Sequence, residues 1–453
     1  MVIQRMVVFG ASGDLTSRLL MPAVAQLAAE ELLPPRLTIV GAADTDWSTQ
    51  HFRQHIRTAL DRHAAAVSRA HESVVAMLSF QPADATNAGD VARVIGADHV
   101  DTLVYLALPA NLLESALPAL ATAGLRASDA LAIEKPFGTD LASARRLNEI
   151  LRTQLPQPTT FRIDHFLSDE LVRRIVALRF LNRIFEPTLN SVYVSHVDIS
   201  WLETLTLEGR AAYYDNTGAL KDMVQSHHME VMALLLMEQP ARIDADSFRG
   251  NRVEALRAIA TPAGDQLHAR TTRARYRAGT IDGRQVPSYL DEPGVDPARN
   301  TETYASVTLD VANPRWHGVP FTLRSGKAMA SDSAEIAIHF RALPGYLLDR
   351  WPGVEPNVLR LGLLEPYLRL TTTLNGPDRQ LETRDLALQA SPPTRSPYAN
   401  LLLEMLRGEA TLFIRGDEAE EAWRIIDPIA AAWSAGKVPM QEYPAGGTPP
   451  EVP

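Results

Sequence analysis

Gly10-Ala11-Ser12-Gly13-Asp14-Leu15 follows an apolar run at residues 6–9 (MVVF) and opens a Leu- and Ala-rich stretch of helical spacing at residues 15–33. Glycines in such a turn let the backbone approach a pyrophosphate, and N–H groups at a helix start favour an anion. The dinucleotide fingerprint wants glycine at relative positions one, three and six, which here are Gly10, Ser12 and Leu15. Spacing alone therefore fits a plain strand-to-helix turn as well. Further on, Asp222 precedes His227 by five residues, just before an apolar helical stretch. Histidine suits the removal of a hydroxyl proton because its pKa lies near neutrality; a satisfied structural histidine is its other use there. No metal constellation is expected. His227-His228 with Glu230 lacks the two-histidine spacing of a zinc helix, and His196-x-Asp198 falls on an alternating strand. Ser12 is no nucleophile elbow, since the G-x-S-x-G order is absent. Zero cysteine removes thiol nucleophiles, disulfides and Cys-ligated clusters together.

These residues need elements to hold them. Short apolar runs at residues 6–9, 37–40, 102–108 and 130–133 alternate with helical stretches, the pattern of a parallel sheet covered on both faces. From about Arg162 the texture changes to longer alternating segments, at 191–201, 304–311, 335–340 and 367–374. The expected fold class is α/β plus α+β. A Rossmann dinucleotide-binding domain at 1–161 precedes a larger domain at 162–443 with a mainly antiparallel sheet, and a Pro/Gly-rich flexible tail occupies 444–453. The 453 residues, 46% of them hydrophobic and 22% charged, suffice for a sizeable core. With 54 acids against 44 Lys plus Arg, the net charge of −10 argues against a general nucleic-acid partner. The most apolar later stretch, 231–237, is far shorter than the roughly 20 residues a bilayer needs. No membrane is expected as a partner, and a cytoplasmic location is the default.

Eight segments occur in order: GASGDL, YLALP (105–109), EKPFG (134–138), RIDHF (162–166), LRFLNRIFEP (178–187), EGRAAYYDNTGALKDMVQSHHMEV (208–231), VPFTLRSGKAM (319–329) and EAWRIIDPI (421–429). The set resembles the glucose-6-phosphate dehydrogenase family over nearly the whole chain. That resemblance implies oxidation of a glucopyranose C1 hydroxyl to a 1,5-lactone, with hydride passing to a nicotinamide. It makes His227 the base and Asp164 the carboxylate that orients it, and it places Lys135 between sugar and cofactor. Gly10, Ser12, Gly13, Asp14 and Leu15 would hold the dinucleotide, with Tyr105 lining it; an ordinary strand aromatic is the other reading of Tyr105. Glu203, Asp222, Lys327 and His165 would hold the sugar. The resemblance also implies a homodimer or a tetramer.

Four departures matter. Asp44 stands where the family keeps an arginine for the 2′-phosphate of NADP. An acid at the end of the second strand accepts from both ribose hydroxyls instead, which predicts NAD, with NADP possible if Arg18 serves the phosphate. Phe166 and Asp169 replace a tyrosine and a lysine of the sugar-phosphate pocket, and Asp332 replaces a basic residue five positions after Lys327. A charge reversal beside a dianion costs kcal/mol rather than tenths. The sequence therefore predicts an unphosphorylated sugar, or a C6-amino sugar paired with Asp169 and Asp332. The orthodox NADP-dependent glucose 6-phosphate activity, with Arg173 completing the pocket, and a non-catalytic sugar or dinucleotide sensor are the alternatives.

Overall fold

In the computed structural model, which describes residues 3–98, 100–155, 159–167, 170–351, 354–376, 381–389 and 393–450, the first apolar runs form one parallel sheet. Its strands are β1 (Arg5–Phe9), β2 (Thr38–Ala43), β3 (Leu78–Pro82), β4 (Thr102–Leu106), β5 (Ala130–Glu134) and β6 (Thr159–Ile163), in the order β3-β2-β1-β4-β5-β6. All pair in parallel. Both faces are buried, so each strand is apolar throughout: Met6 and Val8 enter one core, Val7 and Phe9 the other. Strand order reverses between β1 and β4, the place where open α/β sheets bind ligands.

The compact unit built on this sheet extends past residue 161. It comprises Met1–Val172 together with Pro240–Asn251 and Pro393–Glu420. The expected boundary cut through β6, and the later helix Pro397–Arg407 joins the first core through Leu401, Leu402 and Met405. An amphipathic helix shows which face it buries but not against what, so this return of the chain left no local signal.

The second unit carries the larger sheet. Its strands are β7 (Val194–Leu202), β8 (Ile259–Ala260), β9 (Thr271–Arg277), β12 (Tyr304–Val311), β13 (Phe321–Gly326), β14 (Ser333–Phe340), β15 (Val358–Gly362), β16 (Tyr367–Asn375), β17 (Leu381–Gln389) and β18 (Met440–Pro444). A separate hairpin joins β10 (Gly279–Ile281) to β11 (Arg284–Val286). The order is β17-β16-β15-β14-β7-β13-β12-β9-β18, with β8 on β12. Most neighbours are antiparallel, but β7 pairs with β13 and β9 with β18 in parallel, so the sheet is mixed. Two parallel neighbours end at the same edge, and that places Glu203 and Lys327 side by side.

The expected flexible tail is instead built in as far as it is described. Met440–Pro444 pairs with β9, and Ala445 is buried. The Gly446 N–H donates to the Ala328 carbonyl at 2.9 Å, and the Ala330 N–H donates to the Gly447 carbonyl at 3.0 Å. Backbone hydrogen bonds of this kind depend on no side chain, so a Pro/Gly-rich composition did not reveal them. Among the described residues no helix is long and apolar enough to cross a membrane.

Candidate active site

In the first unit, the turn after β1 is closed by its own backbone. The Gly10 and Ala11 N–H groups donate to the Ala42 carbonyl at 2.9 and 3.1 Å, and Gly13 N–H to the Gly10 carbonyl at 3.0 Å. Gly10 has φ +84°, and a Cβ there would lie 2.2 Å from the Ala107 carbonyl oxygen, so only glycine fits. Gly13 and Asp14 are exposed at the helix start, Ser12 and Leu15 half-buried, and the Asp14 carboxylate lies 3.2 Å from Arg18. A closed glycine turn with an exposed helix start suits a pyrophosphate. Asp44 is exposed directly after β2.

Beside this turn lies a cleft of about 680 Å³ whose lining includes Ser17, Arg18, His51, His55, Arg62 and His63. His55 Nε2 lies 2.8 Å from Ser17 Oγ, and Trp47 packs on His51 and His55 with ring centroids 4.7 and 5.0 Å away. Burial, and then the neighbouring His51, hold the His55 pKa below its ordinary value.

Tyr105 departs from expectation. Its side chain is fully buried in the sheet core rather than lining a cofactor surface, because β4 is a central strand covered on both faces. Its hydroxyl donates to Glu134 Oε1, and Tyr398 donates to the same carboxylate. Burial pushes the Glu134 pKa up to about 7, opposed by these hydrogen bonds and by Lys135. Lys135 is half-buried at the end of β5, and Asp164 is buried just after β6 with Oδ1 accepting from the Phe166 N–H at 2.9 Å. His165 packs against the rings of Phe166 and Tyr398, at 5.1 and 6.2 Å. Sequence reasoning missed Glu134 and Tyr398. The first stood in view beside Lys135, while the second lies on the returning helix and had no local signal.

In the second unit, three expected sugar residues meet at one sheet edge. Lys327 Nζ lies 2.8 Å from Glu203 Oε2 and 5.5 Å from the centre of the Tyr214 ring. Asp332 Oδ1 accepts from the Thr204 N–H at 2.6 Å, which gives this acid a turn-forming job next to Glu203. Asp222 accepts from the Tyr213 hydroxyl at 2.9 Å, and burial raises that phenol's pKa. Asp222 and His227 both lie on the π-helical segment Leu220–His228, which runs straight into the fully buried helix Met229–Leu236. In an α-helix residues five apart point about 140° apart around the axis, and the wider π turn narrows that angle. His227 and His228 are both buried, at 2% and 0% exposure. Asp169 lies outside the described residues. Among the described residues, His196, Asp198 and His339 bring their ligand atoms within 4.8 Å of one another.

The comparisons with known proteins agree with this layout. Residues 7–174 match the glucose-6-phosphate dehydrogenase NAD binding domain, and residues 176–452 match the C-terminal domain of the same family. The chain is 36% identical to the glucose-6-phosphate 1-dehydrogenase of Treponema pallidum, covering 99% of this chain and 92% of that one. It is 34% identical to the Zymomonas mobilis enzyme of that name, over 98% of this chain and 95% of the relative. A solved glucose-6-phosphate dehydrogenase in complex with its substrate glucose-6-phosphate superposes with a TM-score of 0.88 at 28% identity, covering 99% and 96% of the two chains. With both halves matched and at least 92% of each of these relatives covered, the chain belongs to the glucose-6-phosphate dehydrogenase family.

Proposed function

We propose that this protein oxidises the C1 hydroxyl of a glucopyranose to its 1,5-lactone. The buried His227, one π-turn beyond Asp222, carries the reading. His227 takes the hydroxyl proton while the C1 hydrogen departs as hydride, so O1 becomes the lactone carbonyl oxygen. Asp164 is the positioning carboxylate that favours the imidazolium formed. Asp222 and Glu203 accept hydrogen bonds from sugar hydroxyls, and the Lys135 and Lys327 ammonium groups supply donors. The exposed glycine turn, the helix start and the crevice at the strand-order reversal fit a nicotinamide dinucleotide, held by Gly10, Ser12, Gly13, Asp14 and Leu15. When bound, the dinucleotide supplies the hydride acceptor.

NAD and a sugar without a C6 phosphate are the favoured pair. Asp44, exposed at the end of β2, suits a ribose diol, and Asp332 sits beside the Glu203–Lys327 pair where a cation would serve a phosphate. A second reading, NADP with glucose 6-phosphate, is supported by the names of the relatives and by Arg18, His51 and Arg62 in the cleft beside the turn. Initial rates with glucose 6-phosphate, glucose and 6-amino-6-deoxyglucose, each with NAD and with NADP, separate the two. Strong preference for the phosphate ester with NADP overturns the first reading. His227→Ala is expected to lower turnover by orders of magnitude with the fold intact; a parent inactive on every sugar would support a sensor instead.

A further inference from the structure

Away from the residues assigned to sugar and dinucleotide, strands β7 and β14 build a second cluster. The two are antiparallel, and His339 stands directly opposite His196. Strand alternation puts Asp198, two residues on, on the same face as His196. His339 Nε2 is 3.4 Å from Asp198 Oδ2 and His196 Nε2 is 4.0 Å from the same oxygen. Arg324 on β13 holds the other oxygen, Oδ1, at 2.8 Å, so the carboxylate is fixed with Oδ2 turned toward the imidazoles.

The hydroxyl of Ser195 sets the state of one ring. It donates to the His339 carbonyl at 3.0 Å and lies 3.0 Å from His196 Nδ1. Having spent its proton on the carbonyl, it accepts from Nδ1–H, which leaves the Nε2 lone pair of His196 facing a carboxylate oxygen.

We propose that His196, His339 and Asp198 form a binding site for a divalent transition-metal ion of the zinc class. Two imidazoles and one carboxylate select such an ion over magnesium or calcium, which take oxygen ligands. Ligand bonds of about 2.0–2.2 Å require neighbouring ligand atoms a little over 3 Å apart. The three groups are already within 4.8 Å of one another, and a modest rotation of the 44% exposed His196 side chain about the Ser195 contact brings its ring out of the stack with His339. Arg324 and Ser195 are the outer partners that orient Asp198 and His196. Water would complete the coordination.

Calorimetric titration of the metal-stripped full chain with zinc chloride tests this, alongside magnesium chloride. The expected result is one zinc equivalent bound by the parent, no magnesium at the same concentrations, and at least a hundredfold weaker zinc binding in His196→Gln/His339→Gln. Cobalt(II) provides a second readout, since tetrahedral ligation gives intense visible absorption that the double variant should lose. Melting curves confirm that the variant is folded, and Asp198→Asn provides a milder variant should it not be. Zinc binding of equal strength in the folded parent and variant overturns the proposal, as does a parent that binds no zinc.

Discussion

Replacing Glu134 by glutamine tests whether a buried acid in the EKPFG segment sets the pH dependence of stability. Its carboxylate sits at 9% exposure with two tyrosine hydroxyls on it and a pKa raised from 4.5 to about 7, chiefly by burial. Between those two values the folded protein keeps a proton that the unfolded chain has released. The resulting stabilisation is fully present below about pH 4.5 and is lost as pH rises through about 7. Integrating that difference from pH 5 to pH 8 gives a loss of roughly 2–3 kcal/mol attributable to this one group. Glutamine does not titrate; its oxygen can still accept from Tyr105, and the Tyr398 hydroxyl can turn to accept from its amide. Glu134→Gln should therefore gain roughly 2–3 kcal/mol on the parent between pH 5 and pH 8. Glu302, also buried and pushed up to about 7, titrates in both proteins and drops out of the comparison. Urea denaturation of parent and variant at both pH values measures the effect. A stability difference that stays constant with pH would refute the assignment of a proton to Glu134 near neutrality.

Two further substitutions probe the walls of the site. Gly10→Ala forces a Cβ to 2.2 Å from the Ala107 carbonyl at a φ of +84°, so the turn must shift. We expect a loss of about 1–3 kcal/mol in denaturation together with weaker dinucleotide binding by fluorescence titration; unchanged binding would remove this turn from the cofactor site. Tyr443→Phe deletes a hydroxyl that donates to the Lys327 carbonyl at 2.7 Å and meets Thr303 Oγ1 at 2.8 Å. A cost of about 1–3 kcal/mol and a higher sugar KM are expected, whereas an unaltered melting midpoint would show that β18 does not brace the lysine turn.

The order of elements in the first unit was legible because a parallel sheet buried on both faces needs uninterrupted apolar strands, and few other structures do. The glycine turn was legible for a similar reason, since its backbone path tolerates no side chain at Gly10. The eight ordered segments carried the family resemblance without any three-dimensional information. Tertiary structure decided the rest, because it depended on partners distant in the chain. The helix Pro397–Arg407 completes the first core, and Tyr398 thereby reaches Glu134. Met440–Pro444 pairs through its backbone, which composition does not encode. A single widened helical segment turns Asp222 and His227 closer to one face than an α-helix would. His196-x-Asp198 looked inert in one dimension, since a strand supplies two ligands at most on one short stretch. Only the pairing of β7 with β14 brings in His339, and strand pairing is a choice made by the whole sheet.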